Sequence, residues 1–166
     1  MGSGIRTDKR NIYSNEPKQI TMALIADNFV IEELVCKDVY DKFKDKAWQL
    51  FDPRLIITLD WLRERLNKPI YVNNWDSGGK FDERGLRCIQ CPLVKKAIAE
   101  NRLYMSAHML GQAVDMDIEG LVAEEVRQWL VKNKNTLPYP IRLEADVSWV
   151  HLDVQDTGQK VYLFNP

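Results

Sequence analysis

Apolar side chains recur with the 3.6-residue period of an α-helix after Asp52. Pro53 follows directly, and apolar residues then stand at positions 55, 56, 59, 62 and 66. An aspartate followed by a proline at the first helical position is a typical helix start. The pattern therefore predicts the principal buried helix of the protein in this segment.

Alternation of apolar and polar residues predicts strands in the second half of the chain. Residues 113–118 place three apolar side chains on one face and Asp115 and Asp117 on the other. This alternation is typical of a half-buried strand with an acidic outer face. A β-branched and aromatic run at residues 69–74 predicts an earlier strand. Three later strands are predicted at residues 141–145, 149–154 and 160–164.

Shorter patterns predict further helices. Asp27 and Asn28 are expected to cap a short helix that carries Ile31, Leu34 and Val35. Alternating charges around a few apolar residues predict helix and loop on the surface at residues 37–46. Two more amphipathic helices are predicted, at residues 92–101 and around residues 122–130.

These elements predict an α+β fold, with a mainly antiparallel, hairpin-built sheet and helices packed to one side. Residues 1–22 are polar and lack a sustained apolar period, so they are expected to form a flexible N-terminal arm. Residues 23–166 are then a single domain. A chain of 166 residues, 45% of them apolar, can bury one sizeable core but is too short for two ordinary domains.

The charge pattern argues against a nucleic-acid partner, and the lengths of the apolar stretches argue against a membrane partner. The 23 basic and 24 acidic residues nearly cancel, and no basic run interleaves with aromatic residues, so no nucleic-acid partner is expected. No stretch approaches the roughly 20 apolar residues that span a bilayer, so no membrane partner is expected either. The first 20 residues lack the apolar core of a secretory signal. The expectation is a protein made in the cytoplasm, without a general export signal.

Three cysteines are too few for a disulfide framework. Cys88 and Cys91 have the spacing of a metal-binding pair, which Cys36 would complete to a three-cysteine zinc site. Only one such pair is present, and the chain has no third histidine. The favoured interpretation is half-buried thiols or a facultative disulfide.

The two histidines of the chain and one aspartate are candidate metal ligands. His151 lies on the polar face of its predicted strand, and His108 precedes Asp115 by seven residues, with Gly111 between them to allow a tight turn. Two imidazoles and a carboxylate are a typical catalytic zinc set with an open fourth position, which fits hydrolysis of an amide or ester. Taken separately, each histidine could also simply satisfy a hydrogen bond or cap a surface, without binding a metal.

Two longer motifs contain these residues. Residues 106–115 fit SxHxxGxAxD at every fixed position, and residues 149–153 fit WxHxD. They resemble the two zinc-binding motifs of the D-Ala-D-Ala carboxypeptidase, L-alanyl-D-glutamate endopeptidase and Hedgehog superfamily of metallopeptidases. Residues 27–34 resemble an opening common in its phage and Bacteroidales-like members, and residues 73–75 with 84–87 resemble its arginine-bearing loop. The resemblance covers roughly residues 25–155 and implies a Hedgehog/DD-peptidase-like fold.

The resemblance implies that Zn²⁺ is held by three residues: His108, Asp115 and His151. It also implies a carboxylate that acts as general base. Many members place this carboxylate three residues before the second histidine, but Ser148 stands there in this chain. The remaining candidates are Glu144, Asp146 and Asp153.

Hairpin geometry ranks these candidates. If the two predicted strands pair around a turn centred on residues 146–147, Arg142 faces His151 and Glu144 is a diagonal neighbour of His151 on the same face. The Cβ atoms of Glu144 and His151 would then lie roughly 6 to 8 Å apart. Glu144 therefore ranks first. Asp146, which could fold back over the site from the turn, ranks second.

The resemblance further implies an arginine that stabilises the oxyanion or holds a substrate carboxylate, and Arg87 fits its position better than Arg84. The expected function is hydrolysis of peptide bonds in peptidoglycan stem peptides, as a D,D-carboxypeptidase or L,D-endopeptidase. The alternative is a non-catalytic, zinc-bound cell-wall-binding or virion structural module. The protein is expected to be a monomer that acts on the cell wall after release or as a phage-associated protein.

Overall fold

The computed structural model describes residues 26–165, so the predicted arm at residues 1–22 and the start of the domain at residue 23 lie outside it. The helices are α1 (Ile31–Leu34), α2 (Lys37–Phe43), α3 (Pro53–Leu66), α4 (Pro92–Ala99) and α5 (Ala123–Lys132), with 3₁₀-helices at Lys44–Leu50 and Lys134–Thr136. The strands are β1 (Ile70–Tyr71), β2 (Ala113–Ile118), β3 (Ile141–Glu144), β4 (Val150–Asp153) and β5 (Val161–Phe164). The fold class is α+β, as predicted.

Helix α3 forms as its sequence predicts. The side chain of Asp52 accepts a hydrogen bond from the Arg54 backbone N–H, and Pro53 occupies the first turn. The apolar stripe of the helix is buried in the core, with Leu55, Leu59 and Leu62 wholly inaccessible to solvent. This stripe makes α3 the main helical contribution to the core.

The predicted cap of the first helix is wrong. Helix α1 is preceded by Val30, whose backbone N–H donates to the Glu33 carboxylate. Asp27 and Asn28 instead donate their backbone N–H groups to the carboxylate of Asp60 on α3, each at 3.0 Å. The competing acceptor on α3 is distant in sequence, so local capping rules do not reveal it.

The five strands form one sheet in the order β1-β2-β4-β3-β5. The pairings β1 with β2, β2 with β4 and β3 with β4 are antiparallel, which agrees with a mainly antiparallel sheet. The last strand departs from the predicted hairpins, because β5 pairs with β3 in parallel. The sheet is therefore mixed.

Strand β1 is shorter than the predicted strand at residues 69–74. Pairing with β2 ends at Tyr71, after which Asn73 makes three other hydrogen bonds. Its backbone N–H donates to the Glu33 carbonyl, its side-chain amide donates to the Val35 carbonyl, and its side-chain oxygen accepts from the Arg84 N–H. These bonds join the chain after β1 to the α1 segment and to the loop that contains Arg84.

The predicted register of β3 and β4 is wrong by two residues. Arg142 lies opposite Asp153, not opposite His151, and Leu143 lies opposite Leu152. The connection between the two strands is held against α5, because Arg127 donates to the carbonyl oxygens of residues 144, 147 and 149. A shift of two residues preserves the side-chain faces of both strands. Continued by one residue, the register places Glu144 opposite His151.

The two faces of the sheet differ in character. Val114, Met116 and Leu152 belong, with the buried residues of α3, to one contiguous hydrophobic core. Asp115 and His151 alternate with these residues and project from the other face. Within residues 26–165, no helix is long and apolar enough to cross a membrane.

Candidate metal centre

His108, Asp115 and His151 meet on the polar face of the sheet. One ligand atom from each residue lies within 4.8 Å of the other two, and all three residues are buried. Asp115 on β2 is directly opposite His151 on β4, so the antiparallel register alone brings these two side chains together. The structure thus brings together the three residues that the sequence motifs single out.

His108 reaches the site from the turn that precedes β2. The turn closes through a hydrogen bond from the Gln112 N–H to the Ala107 carbonyl, and Gly111 adopts a positive φ of 65° within it. The Nδ1 atom of His108 lies 2.9 Å from the Gly85 carbonyl oxygen, which can only accept, so Nδ1 carries the proton. The Nε2 atom, on the other side of the ring, faces Oδ2 of Asp115 at 3.4 Å.

Both ring nitrogens of His151 contact carboxylates. Its Nδ1 atom lies 2.8 Å from Oδ1 of Asp115, and its Nε2 atom lies 3.1 Å from Oδ2 of Asp153. Asp153 is fully buried and accepts two hydrogen bonds from the Arg142 guanidinium, at 2.8 and 2.9 Å. A carboxylate behind a ligand histidine fixes the ring and its tautomer, as in many zinc sites. This arrangement makes Asp153 a partner of His151.

The charges of the cluster are coupled. Burial raises the pKa of the Asp115 carboxyl, but hydrogen bonds from His108 and His151 outweigh burial and hold this pKa well below its ordinary range. Burial lowers the pKa of His151, whereas hydrogen bonds and charge from Asp115 and Asp153 raise it to about 9. Metal-free His151 is therefore protonated at neutral pH, and a metal ion would displace that proton.

Arg87 contacts a candidate ligand. Its Nη2 atom donates to Oδ2 of Asp115 at 3.0 Å, and its Nη1 atom donates to the Tyr104 hydroxyl at 2.9 Å. Arg84 points elsewhere, because it pairs with the exposed carboxylate of Asp117. Of the two arginines in this loop, Arg87 is the one at the site, and its nearest carboxylate is Asp115.

A cavity of about 390 Å³ opens over the three candidate ligands. Glu144 lines it, and within residues 26–165 the Glu144 carboxylate makes no hydrogen bond or ion pair. Asp146 does not line this cavity. It lies exposed on a turn with a φ of +59°, beside a separate hollow formed with α5. The geometry therefore favours Glu144 over Asp146 as a group that could act on a molecule in the cavity.

Arg142 and Phe164 also line the cavity but were not identified as site residues from the sequence, whereas Ser106 is a fixed position of the first motif. Arg142 shares its strand face with Glu144, and the alternation of β3 could have revealed it. Phe164 lies edge-on to the His151 ring, with centroids 5.8 Å apart, and it enters through the unpredicted pairing of β5. The Ser106 hydroxyl is buried and has no partner within the described residues, so it can bond to a ligand.

The donor set fits a zinc ion. Bonds of about 2.0 to 2.1 Å in a tetrahedral site place the ligand atoms roughly 3.3 Å apart. The Asp115 carboxylate lies between the two imidazoles, with Oδ1 at 2.8 Å from Nδ1 of His151 and Oδ2 at 3.4 Å from Nε2 of His108. Both imidazoles also have their remaining nitrogen anchored, to Gly85 and Asp153. The three side chains thus lie close enough together that they could hold one ion.

Comparisons with models of protein families, with curated proteins and with solved structures found no match for this chain. The functional assignment therefore depends on the geometry of the site and on the two motifs that form it.

Proposed function

We propose that this protein is a zinc-dependent peptidase. The observation that carries the proposal is the convergence of His108, Asp115 and His151 in a cavity that also contains Glu144. Three protein ligands leave one position of a tetrahedral ion open, as catalytic zinc sites do, whereas structural sites normally have four protein ligands. When bound, zinc acidifies a water molecule and polarises a carbonyl group.

Glu144 is the proposed general base. It faces the cavity, it is not paired within residues 26–165, and the register of β3 and β4 places it opposite His151. In this role the carboxylate accepts a proton from the attacking water and returns it to the leaving amine. Asp153 cannot take the role as readily, because Arg142 and His151 already occupy both of its oxygens.

The proposed substrates are peptidoglycan stem peptides, cleaved next to a D-amino acid. Two donors that line the cavity support a peptide substrate: the Ser106 hydroxyl, which has no partner in the described residues, and the Arg142 guanidinium. Such donors suit a peptide carbonyl or a terminal carboxylate. Trp149 adds an aromatic wall that is about one third exposed. The choice of peptidoglycan among peptides rests on the motif resemblance.

The first test is metal content and peptide release. Purified protein should contain zinc, and it should release D-alanine or stem-peptide fragments from peptidoglycan in a reaction that a chelator stops and added zinc restores. The released fragment identifies the bond cleaved. Zinc binding without release would favour the non-catalytic cell-wall-binding or virion module. Release that persists after complete metal removal would refute the zinc mechanism.

The second test separates the carboxylate of Glu144, at the end of β3, from that of Asp146, in the turn that follows. Glu144→Gln should lower kcat by roughly 10²- to 10⁴-fold, the usual contribution of a general base, and leave metal content unchanged. Asp146→Asn is the matched comparison, because Asp146 lies at another hollow. Loss of activity in Asp146→Asn, with an active Glu144→Gln, would reverse the assignment.

A further inference from the structure

All three cysteines of the chain meet at one point, away from the two histidines. Cys36 lies just before α2, whereas Cys88 and Cys91 lie in the loop that leads into α4. The Sγ atoms of Cys36 and Cys88 are 3.6 Å apart, and those of Cys88 and Cys91 are 4.0 Å apart. Since Cys36 is 52 residues from Cys88, the fold and not the sequence spacing makes this cluster.

The spacing of the sulfurs suits a shared metal ion. Zinc–sulfur bonds of about 2.3 Å in a tetrahedral site place the sulfur atoms roughly 3.8 Å apart. The two measured separations lie on either side of that value, and all three sulfurs are within 4.8 Å of one another. Three thiols that already form such a triangle need little rearrangement to bind one ion.

Backbone groups around the cluster favour charged sulfur. The Cys88 N–H donates to the Cys91 sulfur at 3.2 Å, and the Gln90 N–H donates to the Cys88 sulfur at 3.3 Å. Cys91 is also the residue that precedes the first turn of α4. Hydrogen bonds from N–H groups and the position at a helix N-terminus both stabilise a thiolate, which is the form that binds metal.

The cluster is both enclosed and reachable. Cys36 and Cys91 are buried, while Cys88 is partly exposed and lines an open hollow of about 250 Å³ together with Val39 and Met109. The hollow provides a path for an ion and room for a fourth ligand from solvent. Within residues 26–165, no fourth histidine, cysteine or acidic side chain belongs to the group.

We propose that Cys36, Cys88 and Cys91 form a second metal site, which binds a thiophilic ion of the zinc type through three thiolates, with solvent as the fourth ligand. The ion joins the segment after α1 to the loop before α4. The two segments already exchange backbone hydrogen bonds, from the Cys36 N–H to the Leu86 carbonyl and from the Leu86 N–H to the Leu34 carbonyl. The proposal does not depend on peptidase activity.

The test is cobalt titration of the reduced, metal-free full-length protein. Because only the cysteine cluster supplies thiolate sulfur, Co²⁺ bound there should produce a thiolate-to-metal charge-transfer band in the near ultraviolet, and Co²⁺ bound at the histidine site should not. We expect two bound equivalents in the wild type. His108→Ala should retain the band and lose one equivalent, whereas Cys88→Ser, which changes the most exposed cysteine, should lose the band and keep the other equivalent.

Two results would overturn the proposal. One is the absence of a charge-transfer band in the wild-type titration, which needs no variant and so does not depend on how a variant folds. The other is the thiol count of denatured protein purified without reductant. Three reactive thiols are expected, and a single one would show that two cysteines form a disulfide in place of a metal site.

Discussion

The contact between Asp153 and His151 allows a quantitative test of the proposed metal centre. Asp153 is fully buried, and its carboxylate accepts from Nε and Nη2 of Arg142, from the Gln155 N–H and from the His151 ring. Asp153→Asn keeps the size of the side chain but removes its charge. It also replaces one acceptor with a donor that faces the Arg142 guanidinium or the His151 ring.

Asp153→Asn should lower both the metal affinity and the unfolding free energy, and each loss can be estimated. Loss of a carboxylate partner behind a ligand histidine typically weakens metal binding by about 10- to 100-fold, which corresponds to about 1.4 to 2.7 kcal/mol. The unfolding free energy of the metal-free protein should fall as well, because Arg142 loses its partner. Removing one member of a fully buried pair costs about 3 to 5 kcal/mol. The Arg142 side chain is 24% exposed and can be partly hydrated, so we expect about 1 to 3 kcal/mol.

Asp117→Asn is the matched control. Asp117 also pairs with an arginine, Arg84 at 2.7 Å, but its side chain is half exposed and lies outside the cavity. Exposed pairs contribute about 0 to 1 kcal/mol, so this change should have little effect on stability and none on zinc affinity. The assays are competition for zinc with a chromophoric chelator and urea unfolding of the metal-free protein. A folded Asp153→Asn protein that binds zinc as tightly as the wild type would refute the role of Asp153.

Two further predictions concern the scaffold. Hydrogen bonds from Arg54 hold the pKa of the Asp52 carboxyl below its ordinary value despite burial. The capping contribution of Asp52 to stability, about 1 to 2 kcal/mol, is therefore present at neutral pH. It is lost as the pH falls through the folded-state pKa. Urea unfolding should therefore separate wild type from Asp52→Ala at pH near 7 but not in strong acid, and an equal difference at both would contradict this assignment. Gly111→Ala should lower the stability of the protein more than Gly158→Ala does. Both glycines have a positive φ, but only at Gly111 would an added Cβ atom overlap a backbone carbonyl, that of Leu50. The strain at Gly158 should cost about 1 to 2 kcal/mol, and equal losses of thermal stability in the two variants would show that the overlap relaxes freely.

The elements that the sequence predicts well are those with local signals. The cap at Asp52 and the apolar period of α3 depend on residues within a few turns of one another, and the structure confirms both. Strand β2 is confirmed at residues 113–118, because its alternation follows from the two-residue period of a strand. The proximity of Asp115 and His151 then follows from the antiparallel pairing of β2 and β4.

The features that the sequence does not predict depend on contacts between distant segments. The register of β3 and β4 is set partly by Arg127, which binds three carbonyl oxygens of their connection from α5. No pattern within either strand contains this information. The cysteine cluster likewise needs Cys36, which is far in sequence from Cys88. The parallel pairing of β5 with β3 brings Phe164 to the site, although the sequence predicts β5 only as a strand.

The loop at residues 83–91 connects the two clusters of candidate metal ligands. The Gly85 carbonyl fixes the ring of His108, the Arg84 carbonyl accepts from the Asp115 N–H at 2.7 Å, and Arg87 binds the Asp115 carboxylate. The next residue along, Cys88, belongs to the cysteine cluster. Gly85 lies so close to the backbone of α1 that a Cβ atom would overlap the Leu34 carbonyl oxygen, which explains a glycine at this position. Because this loop contacts the candidate ligands His108 and Asp115 as well as α1, we expect a change in its position against α1 to alter the geometry of the histidine site.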